Sequence, residues 1–75
     1  MGFHLKTTDE LLRIAKAGGG LVLEGGRRTT DELARIAEAA KRSGSLVIFR
    51  GVALRKTEAL EKIAASGKGH IIFES

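Results

Sequence analysis

The chain has 75 residues, with 13 Lys and Arg against nine Asp and Glu for a formal net charge of +4, and no Cys. A chain this short hides only roughly 60% of its unfolded surface on folding, so it is expected to form one domain over residues 1–75 with a single shared core. The missing thiols exclude a disulfide framework and a thiolate metal centre. No apolar run approaches the ~20 residues that cross a bilayer. The Met1-Gly2-Phe3-His4 start lacks the basic-then-apolar order of a signal peptide, so a soluble chain is expected, cytoplasmic if natural, with no membrane partner.

Phe3-His4-Leu5-Lys6 alternates apolar and polar residues, the pattern of a short edge strand with one wet face. Thr7 stands three residues before Glu10, the spacing of a capping box, and Leu11, Ile14 and Ala15 then share one helical face up to a stop at Gly18. Leu21-Val22-Leu23-Glu24 reads as the second strand. Gly25-Gly26 turns the chain into a second capping box, Thr29 with Glu32, and a helix buried through Leu33, Ile36, Ala37 and Ala40. Ser43-Gly44-Ser45 ends that helix, and Leu46-Val47-Ile48-Phe49 reads as the third and most apolar strand. Residues 50–56 fit three conformations equally: a longer strand, a packed loop or an early helix start. The third helix uses Leu60, Ile63 and Ala64, stops at Gly67 and leads into a last strand, His70 to Glu74.

Thr7 to Ala15 and Thr29 to Ala37 are near-copies, and Thr57 to Ala64 is a weaker third copy, with Leu11, Leu33 and Leu60 spaced 22 and 27 residues apart. One α-then-β unit used three times predicts β-α-β-α-β-α-β with parallel strands, because each short return needs a helical crossover. Right-handed crossovers in the order 1-2-3-4 place all three helices on one face of a four-stranded parallel sheet. The alternative is a flavodoxin-like half with helices on both faces, which would bury His4 and Lys6 in a central strand. A half-barrel that pairs to close eight strands is a variant of the one-sided layout. Near-duplication, clean caps and turn glycines agree across levels as they do in a consensus or designed scaffold, and also after natural duplication.

Sorting strand residues by alternation assigns Phe3, Leu5, Leu21, Leu23, Leu46, Ile48, Ile71 and Phe73 to the helix-covered face. Val22, Val47, Phe49 and Ile72 then form an apolar patch on the open face, expected to pair with a second copy as a homodimer. Beyond the carboxyl ends of the strands lie Lys6, Arg27, Arg28, Arg50, Arg55 and Lys56, an expected site for an anion, a phosphate or a polyanion such as nucleic acid. Gly25-Gly26-Arg27-Arg28-Thr29 lacks the pattern of a P-loop or a dinucleotide fingerprint. His4 and His70 fall on the outer strands, too far apart to share a metal, and no serine sits in a nucleophile motif. These patterns point away from an enzyme, a cofactor and a metal. They point toward a self-associating scaffold, with anion binding as the alternative.

Overall fold

In the computed structural model, residues 7–74 are described. They form an α/β structure of three helices and a three-stranded sheet: α1 (Thr8–Lys16), β1 (Leu21–Glu24), α2 (Thr30–Ser43), β2 (Val47–Arg50), α3 (Thr57–Gly67) and β3 (Ile71–Glu74). The strands lie in the order β1-β2-β3 and both pairings are parallel. The strand expected over Phe3 to Lys6, and with it the four-strand order, lies outside the described residues.

The helices start where the sequence supplies caps. Thr7 Oγ1 accepts from the Glu10 N–H at 3.1 Å while the Thr7 N–H donates to Glu10 Oε1 at 2.9 Å. Thr29 and Glu32 repeat this reciprocal bond at 3.1 and 2.8 Å. α3 has Lys56 at its N-cap and no side-chain cap bond. At the other ends, Gly44 takes the left-handed conformation after α2 (φ 78°). Gly67, expected as the stop of α3, is instead its last helical residue, and Lys68 takes the left-handed turn (φ 37°). Gly67 is needed for contact: a Cβ there would sit 2.8 Å from Ile71 Cγ2 and 3.2 Å from Ala37 Cβ.

All three helices press one core. Leu11, Leu33, Ile36, Ala37, Ala40 and Ile63 cluster with Leu21, Leu23, Val47 and Phe49 from the strands. Alternate strand residues point to opposite faces, so the helices cover one face of the sheet and leave the other open. The alanines of α2 (Ala34, Ala37, Ala39, Ala40, all buried) let it lie between α1 and α3 at close range.

The structure corrects the expected phase of β2. Register pairs Leu21 with Val47 and Leu23 with Phe49, and Val47 and Phe49 are both 0% exposed in the helix-covered core. They cannot line the open face; Ile48 does, half-buried, and Leu46 is exposed ahead of the strand. Four apolar residues in a row carry no alternation of their own. The phase is fixed one turn earlier by Ser45, which is buried and donates to the Ala15 carbonyl at the end of α1 at 2.9 Å. With Ser45 inward, Val47 and Phe49 follow inward. Residues 51–56 form a packed loop: Val52 is buried in the core beneath Gly25, whereas Leu54 is fully exposed.

Candidate functional site

The loops after β1 and β2 enclose a shallow, open cleft lined by Gly26, Arg27, Arg28, Thr29, Gly51, Leu54 and Arg55. Two of its arginines are tied down. Arg55 Nη2 donates to the Gly25 carbonyl at 2.7 Å and to the Arg28 carbonyl, and Nη1 donates to Thr30 Oγ1 at 3.1 Å. Arg28 Nη1 donates to Thr8 Oγ1 at 2.9 Å, and that hydroxyl donates onward to Glu32 Oε2 at 2.8 Å. Each arginine precedes the N-cap of one helix and reaches back to the first-turn threonine of the helix before it. Arg28 to Thr8 and Arg55 to Thr30 are therefore the same clasp made twice. The signal was present in the sequence, a basic residue just before each cap and a threonine just after it, and was read there as charge for a ligand.

Of the remaining expected anion residues, Arg50 lies on the open face and pairs with Glu74 at 2.8 Å. Arg27 and Lys56 are exposed, and neither has a side-chain partner among the described residues. Lys6 lies outside the described residues. The cleft thus brings together Arg27, Arg28 and Arg55 and does not include Arg50.

Local electrostatics at the amino end of α2 already involve the protein's own acids. Hydrogen bonds from the Thr29 backbone and the Thr8 hydroxyl hold the Glu32 carboxyl below its ordinary value. Lys62 does the same to Asp31 by a hydrogen bond and by its charge. The Glu32 carboxylate takes the Thr29 N-cap amide and the Thr29 hydroxyl takes the Glu32 amide, so two of the donors at this helix start that an external anion would use are already bonded.

The open face carries a row that crosses all three strands. Val22, Ile48 and Ile72 are register neighbours, with Val22 and Ile72 each 43% exposed. Beside it runs a charged row of alternating sign, Glu24, Arg50 and Glu74. Of the four residues expected to form this patch, the structure places Val22 and Ile72 there, moves Val47 and Phe49 to the core, and adds Ile48. His70 lies at the start of β3 with Nδ1 3.0 Å from the Ser45 carbonyl. Among the described residues no three His, Cys, Asp or Glu side chains converge as a metal would require, and no helix is long and apolar enough to cross a membrane.

Compared with protein-family models, with curated proteins and with solved structures, the chain finds no significant match in any of the three.

Proposed function

We propose that the chain is a non-catalytic, self-associating α/β repeat scaffold, with its open sheet face as a contact surface for a second copy. The observation that carries this reading is the uncovered apolar row Val22-Ile48-Ile72 on an otherwise helix-packed sheet. Its polar neighbours favour the same reading. Ser43, Ser45, Arg28 and Arg55 are spent on bonds that hold helices to loops, as a scaffold requires.

The magnitude of the contact follows from the area left to bury. Full burial of an aliphatic side chain contributes about 1.5–3 kcal/mol, and these three are already partly covered, so the row contributes roughly 3 kcal/mol. Set against the freedom lost on association, a contribution of this size leaves a weak contact, dissociating in the millimolar range or above. Face-to-face pairing is therefore expected only at high concentration. Sedimentation equilibrium across micromolar to millimolar chain tests it: the mean mass rises, and Ile48→Lys reduces the rise while helicity is kept. An Ile48→Lys curve identical to wild type would refute this use of the face.

A second reading, anion binding at the cleft, is favoured by one observation: α3 has no side-chain cap at its N-cap Lys56, and Arg27 in the cleft is exposed. It expects a polyanion affinity that falls with salt and falls again in Arg27→Ala/Lys56→Ala. Binding unchanged in that pair of substitutions would discard it.

A further inference from the structure

We infer that the chain stacks head to tail on copies of itself, the outer side of α3 and β3 in one copy receiving the outer flank of α1 and the edge of β1 that has no strand partner among the described residues in the next. This goes beyond the open-face reading, and of that row it uses only the main chain of Val22.

The first support is an unequal burial of matching positions. Leu11 and Leu33 are 0% exposed, because the helix that follows each one covers it; Leu60, at the same place in α3, is only half-buried. Ala15 and Ala37 are likewise 0% exposed and Ala64 is exposed. In the strands, Leu23 and Phe49 are 0% exposed whereas Phe73 is 37% exposed, its ring stacked on Phe49 at 6.3 Å with its other side open. The third unit has the same apolar side as the first two, and nothing in the described chain covers it.

The opposite end has the matching cover. α2 meets α1 through Arg35 and Ser43, with Ala39 on the same side between them and 5% exposed. The positions 22 residues earlier, Arg13 and Ala17, stand exposed on the outer flank of α1. That flank repeats the Arg and the Ala of the surface α2 already uses.

Charge makes the fit directional. The first-turn acid of each helix pairs with a base on the next: Asp9 with Arg35 at 3.8 Å, and Asp31 with Lys62. Continuing the series gives Glu58 of α3 with Arg13 of the following copy, and neither has a partner among the described residues. The strand edges agree. The His70 carbonyl accepts from the Val47 N–H, so His70, Ile72 and Glu74 direct their main-chain groups to β2, while Ile71 and Phe73 direct theirs outward. The Leu21 N–H donates to Leu46, which leaves Val22 and Glu24 directed away from β2 on the other edge. Among the described residues both outer edges lack a partner strand, and an edge of this kind templates a further strand. Because the two surfaces differ and lie at opposite ends, the contact is heterologous and generates rings or open chains of copies.

The test uses the full chain, measuring mean mass against concentration by sedimentation. Arg13→Glu and Glu58→Lys each weaken association by about three- to tenfold, the range of an exposed ion pair and its reversal, and the double substitution restores it. Phe73→Lys reduces association further, and the loss and rescue by Arg13→Glu and Glu58→Lys persist in an Ile48→Lys background. Hydrogen exchange needs no substitution: on raising concentration, the amides of Ile71 and Phe73 and those of Val22 and Glu24 gain protection together. A double substitution no better than the singles overturns the inference. So does protection confined to β3, a β1 edge already protected in dilute solution, or a wild-type chain that stays monomeric to millimolar concentration.

Discussion

Replacing Phe49 by Ala tests the phase of the central strand, on which both the core and the open face depend. Phe49 is fully buried between the sheet and the helices and stacks on Phe73. Truncating such a ring costs about 3–5 kcal/mol, the lost transfer energy plus the cavity it leaves. A chain of this length is expected to hold roughly 4–11 kcal/mol of stability in total. The variant is therefore expected to lose about a quarter or more of its stability, and its melting temperature to fall by more than ~10 °C. Ile48→Ala, one residue away and pointing to the open face, is expected to cost less, about 1–2 kcal/mol, because its half-buried side chain leaves a smaller cavity. Urea titration followed by circular dichroism at 222 nm gives both values, provided the slopes match and the chain is dilute enough to suppress association. If Ile48→Ala costs as much as Phe49→Ala, the strand has the opposite phase and the open-face row is wrongly drawn.

Three further outcomes follow from the same contacts. Gly67→Ala, which in an exposed helix would stabilise, is expected to destabilise by about 1–3 kcal/mol, since its methyl would press on Ile71 and Ala37; a stabilised variant in thermal melts would show that α2 and α3 are looser than drawn. Lys56→Asp supplies the cap α3 lacks and is expected to add about 1 kcal/mol, whereas Thr29→Ala removes an existing cap and costs a similar amount. Acid stability depends on Asp31 and Glu32, both held below their ordinary values in the folded chain. The folded state then binds fewer protons than the unfolded one, so their stabilisation is complete above the ordinary carboxylate value of about 4 and is lost as pH falls through the lowered ones. Glu32→Gln, which can still cap, is expected to flatten that acid limb, and an unchanged limb would assign it to other carboxylates.

Much of the layout was legible because single residues decide it. Thr7 with Glu10 and Thr29 with Glu32 fix two helix starts through bonds between neighbours in sequence, and a parallel sheet follows from short connections through helices. The phase of β2 was not legible in the same way. Leu46 to Phe49 offers four apolar side chains and no alternation, and the choice is made by Ser45 bonding to a carbonyl 30 residues away. Nothing local to the strand records that partner. The basic loops misled for a related reason. A guanidinium aimed at an external anion and one aimed at a threonine hydroxyl and two carbonyls have the same sequence signature, and only the folded loop shows Arg55 already satisfied.

The same pairwise contacts explain why the outer helices α1 and α3 differ from the middle helix α2. Each helix is covered on one flank by its predecessor and on the other by its successor, so an interior unit such as α2 buries both flanks while α1 and α3 each bury one. Natural arrays blunt such ends with polar capping units. Here the end at α3 and β3 retains Leu60, Ala64, Ile71 and Phe73, the residue types an interior unit uses. A polar substitution at Ala64 should then leave the isolated fold almost untouched, because the site is already wet, yet reduce association. At Ala37, its interior counterpart, the same substitution should unfold the chain.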